Sequence, residues 1–131
     1  MARGMTTYAE LFPRLVGGLT AAYGLAVAVR PEVLAGPCEL TDEHGQVAPS
    51  TRVVTSAMGA RDALTGLAMT LAPSDHALRT AIAVRSTIDF ADATLMGATL
   101  PTARARRKAA LVAGAWGTLS ALTALGTRRA R

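Results

Sequence analysis

Ionisable side chains occur inside two of the four long apolar stretches of this 131-residue chain. Residues 53–72 contain Arg61 and Asp62, and residues 81–100 contain Arg85, Asp89 and Asp92. A charged side chain at the centre of a lipid bilayer costs roughly 2.5–3.5 kcal/mol on insertion scales. A fold that places these stretches in a membrane must therefore give all five groups partners in its interior.

The apolar stretches cover residues 15–29, 53–72, 81–100 and 109–126. With the first extended back to Tyr8, each has about 18–22 residues, close to the roughly 20 that span a bilayer as a helix. None alternates between apolar and polar residues, so strands are not expected. We predict an all-α fold, a four-helix transmembrane bundle that forms a single domain over residues 1–131. Its connections are short except for one longer polar loop, residues 31–50, after the first helix.

Proline, capping residues and glycines give the expected helix ends and contacts. Pro31 ends the first helix, and Pro13 lies near its start, where proline is tolerated. The candidate N-caps of the first three helices are Thr6 or Thr7, Ser50 or Thr51, and Ser74 or Asp75. The break at residues 73–76 is short, so the second and third helices should be antiparallel neighbours. Close helix contacts are expected at Gly17, Gly18, Gly24, Gly59, Gly66, Gly114 and Gly117.

A soluble helical bundle is the rival fold. Arg61 and Asp62 together would cost the second span about 5–7 kcal/mol on the insertion scale, and the third span is more polar still. A soluble bundle, however, should present broad charged faces on its helices. The first and fourth apolar stretches carry no charge across their interiors. We therefore favour the membrane, as a multi-pass protein of a bacterial cell membrane.

The net charge of +5 comes mainly from arginines, which lie near the ends of the apolar stretches. Such positions suit contact with membrane lipid headgroups. Aromatic residues are too few for the stacking surface of a nucleic-acid-binding protein, so no nucleic-acid partner is expected. The basic residues are balanced between the two ends of the bundle, including Arg128, Arg129 and Arg131, so the orientation in the membrane stays open.

The ionisable residues of the third helix fall on one face. At 100° per residue, a single narrow stripe contains Arg85, Asp89, Asp92 and Met96. The residues that point away from it are Thr87, Phe90 and Thr94. On the second helix, one face contains Met58, Asp62, Thr65 and Met69, and Arg61 projects about 100° from Asp62. In lipid, both charged faces must turn inward.

Antiparallel packing about the break at residues 73–76 places Asp62 level with Asp89. Two arginines then face three carboxylates, and burial disfavours an unpaired ion. One carboxylate should therefore hold a proton, reach water or meet a cation. Arg85 can pair with Asp89 in its own helix, and Asp62 is the natural cross-helix partner of either arginine, so Asp92 is the expected unpaired carboxylate. The alternative is that the pairs only fix helix register.

Two sets of site residues follow from this placement. The candidate catalytic residues are Asp92, Asp89, Asp62, Arg61 and Arg85, and the candidate substrate-binding residues are Tyr23, Met58, Thr65 and Trp116. Cys38 is the single cysteine and excludes an intrachain disulfide. His44 and His76 lie at no metal-ligand spacing, and no cofactor motif is present, so neither a metal nor a cofactor is expected.

Three functions from different classes remain open. The first is a membrane enzyme that uses a buried carboxylate as acid or base on an apolar small molecule, for isomerisation, cyclisation or epoxide opening. The second is a non-catalytic assembly partner or a small proton- or ion-coupled transport element, in which a homo-oligomer could place the charged stripe at a pore. The third is a soluble helical binding module.

Several motifs resemble those of a known family. They are Leu34-Ala35-Gly36-Pro37, Gly59-Ala60-Arg61-Asp62 with Gly66-Leu67, Arg85 with Asp89 and Asp92, Arg106-Arg107-Lys108, and Trp116. Over nearly its whole length the chain resembles a family of small four-helix membrane proteins of unknown function, common in actinobacteria. The resemblance implies the helical bundle and the same five ionisable residues, and it implies no reaction.

Overall fold

The computed structural model describes the backbone of residues 2–129 and the side chains of residues 8–127. It contains five helices, α1 (Ala2–Val29), α2 (Glu32–Ala35), α3 (Pro49–Thr70), α4 (Asp75–Thr99) and α5 (Ala103–Arg129). The described backbone contains no strand, only an isolated β-bridge between Thr41 and Val47. The predicted all-α fold is thus confirmed. The side chains of Arg128, Arg129 and Arg131 lie outside the described residues.

Two of the predicted helix starts are wrong, and one is confirmed. α1 begins at Ala2, ahead of Thr6 and Thr7, so Pro13 lies well inside this helix. The N-cap of α3 is Ala48, with Pro49 at the first helical position, instead of Ser50 or Thr51. Proline suits that position because its fixed φ is helical and it lacks the N–H that a cap would serve. Ser74 caps α4 as predicted, since its Oγ accepts from the Ala77 backbone N–H at 3.2 Å.

The fourth long helix is longer than the apolar pattern indicates. α5 begins at Ala103, six residues ahead of its apolar stretch, so the basic run forms its first turns. The local signal is Thr102, whose Oγ1 accepts from the Ala105 backbone N–H at 3.0 Å. This capping bond supports a helix start that the positive charges of the run disfavour.

α1 and α3 pack backbone against backbone in antiparallel orientation. A methyl group added to Gly24 would lie 2.4 Å from the Ala63 backbone nitrogen, and one added to Gly59 would lie 2.4 Å from the Ala28 nitrogen. Gly17 and Gly66 form an equivalent contact about two helical turns away along the same pair of helices. The predicted close contacts are confirmed at these four glycines and at Gly117, which packs on Asp89. They are not found at Gly18, where an added methyl group would lie 3.8 Å from Thr70 Oγ1, or at Gly114, where it would meet no atom within 4 Å.

The most extensive helix contacts are those of α1 with α3 and of α4 with α5. α3 and α4 are consecutive, and their backbones run antiparallel about Pro73, but they contact each other over a smaller surface. The prediction of neighbouring helices is correct, yet α1 is the closer partner of α3. The reason is that paired glycines bring α1 and α3 together, whereas α3 and α4 are joined across their middle by long arginine side chains.

Apolar clusters close the two ends of the bundle. Near Pro73 the buried cluster consists of Val16, Met69, Ala72, Leu78 and Ile82. At the other end, Cys38 packs with Leu100 and Ala105. The middle layer is different, because Arg85 and Asp89 are buried there between the two clusters. Segments Tyr8–Val29 and Ala103–Thr127 are each long and apolar enough to cross a membrane, with a mean hydropathy of 1.4.

Candidate functional site

Arg85 lies at the centre of the middle layer and is only 1% exposed. Its Nε donates to Oδ2 of Asp89 at 3.1 Å, and its Nη2 donates to Oδ1 of the same carboxylate. The two residues are one helical turn apart on α4. The predicted pairing of Arg85 with Asp89 is therefore present, as a two-point contact between the guanidinium and the carboxylate.

The remaining nitrogen of Arg85 joins α4 to α3. Nη1 donates to Oδ1 of Asp62 at 2.8 Å and to Oγ1 of Thr65 at 2.9 Å. Asp62 and Thr65 lie on the α3 face that the helical pattern turns inward. The sequence-based expectation that Asp62 is the cross-helix partner of an arginine agrees with this contact.

Arg61 makes a second bridge between α3 and α4. Its Nη1 and Nη2 donate to the two carboxylate oxygens of Asp92 at 3.1 and 2.5 Å. Its Nε and Nη2 also donate to Oδ1 of Asp62 at 3.1 and 2.9 Å. The prediction that Asp92 is the unpaired carboxylate is thus wrong. The side chain of Arg61 projects from α3 in a different direction from that of Asp62, but it is long enough to reach Asp92 on α4.

Asp62 is the carboxylate that differs from the other two. Its Oδ1 accepts from both Arg61 and Arg85, whereas its Oδ2 accepts from no donor among the side chains that the structure describes. In Asp89 and Asp92, by contrast, each oxygen receives a guanidinium N–H. Among the described residues, Oδ2 of Asp62 is therefore the one carboxylate oxygen of this network that has no hydrogen-bond donor.

A cavity of about 310 Å³ lies against the charged network. Its polar side is formed by Asp62, Arg85, Asp89 and Asp92, and its larger apolar side includes Leu19, Tyr23, Leu34, Met58, Met96 and Trp116. Of the predicted substrate-binding residues, Tyr23, Met58 and Trp116 line the cavity. Thr65 does not line the cavity, and its hydroxyl accepts from Arg85. Arg61 does not line the cavity either.

The two aromatic residues of the cavity are held differently. The Nε1 of Trp116 donates to Oγ1 of Thr20 at 2.9 Å, and Thr20 donates in turn to the Val16 carbonyl at 2.9 Å. This chain fixes the indole of α5 against α1. Tyr23 is 47% exposed, and its hydroxyl has no partner among the described side chains. Thr20 was missed from sequence because its partner lies 96 residues away, so no local pattern marks it.

Cys38 lies outside this cavity, at the loop end of the bundle. It is 4% exposed and packs on Leu100 and Ala105. Burial raises the pKa of its thiol, and the nearby Lys108 opposes that shift only partly. Among the described residues no group of three or more His, Cys, Asp or Glu side chains could hold a metal ion.

Comparison of the chain with protein-family models, with curated proteins and with solved structures finds no match. The resemblance stated from the sequence motifs therefore stays a prediction, and the function must be argued from the geometry of this site.

Proposed function

We propose that this chain is a multi-pass protein of a bacterial cell membrane, in which α1, α3, α4 and α5 span the bilayer as a four-helix bundle. The observation that carries this proposal is the distribution of polarity, apolar outside and charged inside. Large apolar side chains are exposed on the outer faces of all four helices. The largest fully buried side chain of the described residues, by contrast, is that of Arg85.

From Val53 onward, the exposed side chains of α3 are all apolar. Its exposed residues between Val53 and Leu71 are Val53, Val54, Ala57, Ala60, Leu64, Leu67, Ala68 and Leu71. These side chains occupy the face opposite Asp62. A helix of the length of α3 extends about 33 Å at 1.5 Å per residue, which matches a hydrocarbon core of roughly 30 Å. The low average hydropathy of α3 therefore comes from its inner face.

Over residues 80–99 of α4 and 109–127 of α5, the exposed polar side chains are threonines that do not need water. The hydroxyls of Thr80, Thr87, Thr94, Thr99 and Thr118 each donate to the backbone carbonyl four residues earlier, at 2.7–3.0 Å. In a hydrocarbon environment every polar group must be satisfied within the protein, and this pattern meets that requirement.

Charged side chains form a rim at the ends of the apolar surface. At the loop end the exposed basic residues are Arg30, Arg52, Arg104, Arg107 and Lys108. At the other end Arg14 donates to the carbonyls of Thr70 and Ala72 at 2.9 Å, which satisfies the C-terminal end of α3. Both arrangements are typical of helix ends at a membrane surface.

Within this bundle, the cavity supports an acid–base enzyme that acts on a small, mainly apolar molecule without a cofactor. Asp62 is the proton acceptor or donor, because the residue lines the cavity and its Oδ2 accepts from no described side chain. Arg61 and Arg85 hold the carboxylates in place and balance part of their charge. Isomerisation, cyclisation and epoxide opening each need such a group and fit an apolar substrate.

The alternative of an assembly partner or an ion-coupled transport element calls for charged residues at an outer surface. Here Arg85 and Asp89 are 1% and 5% exposed, and both line the cavity formed within one chain. This placement favours chemistry within one chain over a pore between chains.

Complementation of a deletion strain of the source bacterium tests the enzyme proposal. Lipid-extractable metabolites are compared by chromatography and mass spectrometry after expression of wild type, Asp62→Asn or Glu43→Gln. Glu43→Gln is the matched control, since it removes an exposed carboxylate in the polar loop. We expect wild type and the control to convert a precursor into an isomer or a water adduct, and Asp62→Asn to accumulate the precursor. Equal profiles for Asp62→Asn and wild type would contradict the proposal.

A further inference from the structure

We infer that the ligand of this cavity carries one ammonium group on an apolar body. The inference rests on the cavity of the proposed function and names the class of molecule that it accepts. Two features of the site support it. Most donors of the arginines are already bonded within the protein, and the five ionised groups together have an excess negative charge.

Arg61 offers no hydrogen-bond donor to a ligand in the cavity. Its three guanidinium nitrogens donate to Asp62 and Asp92, and the residue does not line the cavity. A ligand with a carboxylate or phosphate group therefore does not meet this arginine.

Arg85 is similarly engaged. Its Nε and Nη2 donate to Asp89, and its Nη1 donates to Asp62 and Thr65. The indole N–H of Trp116 is also used, in its bond to Thr20. Two donors of the described lining are left for a ligand, the Tyr23 hydroxyl and the second N–H of Arg85 Nη2. The three carboxylates beside them disfavour an anionic group.

The acceptor side is not satisfied. Oδ2 of Asp62 has no donor among the described side chains, and three carboxylates share two guanidinium groups. The network with all five groups ionised has one excess negative charge. A ligand ammonium would neutralise this charge and donate to the free oxygen, and charge-assisted hydrogen bonds are among the strongest in proteins.

The apolar side of the cavity suits the rest of such a ligand. Tyr23 and Trp116 present aromatic rings, which attract cations as well as apolar groups. Met58 and Met96 add polarisable, adaptable surface. The volume of about 310 Å³ is at the lower end of ligand pockets, so the body is of the size of a substituted ring with a short side chain.

Three probes with the same phenyl body and different ends test the inference. They are 2-phenylethylammonium, the neutral propylbenzene and the anionic 3-phenylpropanoate. Trp116 is the only tryptophan of the chain and lines the cavity, so its fluorescence reports binding to the purified full-length protein in lipid nanodiscs. We expect the ammonium to bind at least about tenfold more tightly than propylbenzene, a difference that one charge-assisted contact supplies. The carboxylate probe should not bind.

Asp62→Asn should remove the preference for the ammonium, and Glu43→Gln should retain it. If propylbenzene binds wild type as tightly as the ammonium does, the inference is overturned while the apolar cavity of the proposed function stands. If none of the three probes changes the Trp116 fluorescence, both the inference and the proposed function are overturned. If Asp62→Asn fails to fold, the comparison of the three probes on wild type still decides.

Discussion

At the scale of single residues, the network depends most on Arg85, because it contacts Asp62, Thr65 and Asp89 while almost fully buried. Without this guanidinium, the carboxylate of Asp89 would remain buried with no cation beside it. An uncompensated buried charge is among the most destabilising features that a substitution can create.

We expect Arg85→Met to lower the free energy of unfolding by roughly 3–5 kcal/mol, because it breaks a buried ion pair on one side only. Thermal unfolding in detergent, followed by circular dichroism, measures the effect. Arg52→Met is the control: its partner Glu32 is at the surface, and exposed pairs contribute about 0–1 kcal/mol. Equal losses in the two variants would show that Arg85 has no special structural role.

The sequence predicted which residues meet, but not how they pair. Arg85, Asp89 and Asp92 share a face because their spacing is helical, and this could be read directly. The partner of Asp92 could not be predicted from the sequence, because Arg61 projects to the side of its own helix. Its guanidinium reaches Asp92 only because the side chain is long and α3 and α4 stand apart at this level. That separation is a property of the packed bundle.

At the scale of helices, the contact between α1 and α3 sets the geometry of the site. The backbones meet at Gly24 and Gly59, which holds α3, the helix of Arg61 and Asp62, directly against α1, the helix of Tyr23. Added side-chain volume at this contact must push the two helices apart.

We expect Gly24→Ala to destabilise the bundle by about 1–3 kcal/mol or more, as overpacking of a close contact does. The added methyl group would lie 2.4 Å from the backbone of α3, which cannot move aside locally. Gly114→Ala is the control, because no atom lies within 4 Å of the added group and alanine favours the helix by up to about 1 kcal/mol. Unfolding of the two variants in detergent makes the comparison. A stability of Gly24→Ala equal to that of wild type would contradict the close packing.

Cys38 reports on the packing of the loop against α4 and α5. It is 4% exposed, and burial raises the pKa of its thiol, so little of the reactive thiolate form is present near neutral pH. We therefore expect slow alkylation by a maleimide in the folded protein and fast alkylation in denaturant. Leu100→Ala, which opens the cluster beside the thiol, should speed the reaction in the folded state. Alkylation of the folded protein as fast as that of the unfolded chain would show that this cluster is not formed.

The four long helices were predictable in number, order and approximate extent, because apolar stretches and prolines mark them. The early start of α5 was not predictable, because the basic run at residues 104–108 does not look like part of an apolar helix, although Thr102 caps it. The pairing of α1 with α3 was not predictable either. The glycine spacing indicated close contacts, but only the packed structure shows which helix each glycine meets.

At the scale of the whole molecule, large apolar side chains are exposed on all four long helices, and a charged layer lies between the apolar clusters of the interior. Within the described residues, α1 and α5 contain segments long and apolar enough to cross a membrane, whereas α3 and α4 do not, because their inner faces carry the ionisable residues. Away from the helix ends, the outer faces of α3 and α4 are apolar or carry threonines with internally satisfied hydroxyls. The proposed four-span bundle therefore requires that α3 and α4 contact lipid as α1 and α5 do.

Spin labels on the outer faces of α3 and α4 test this requirement most directly. In a Cys38→Ala background, Leu64→Cys and Thr94→Cys carry the label at exposed positions near the middle of each helix, and Glu43→Cys carries it in the polar loop. Collision with dissolved oxygen and with a water-soluble nickel chelate is measured by electron paramagnetic resonance in liposomes. We expect the labels at 64 and 94 to collide with oxygen and not with nickel, and the label at 43 to do the reverse. Strong nickel collision at 64 and 94 would place these faces in water and contradict the four-span bundle.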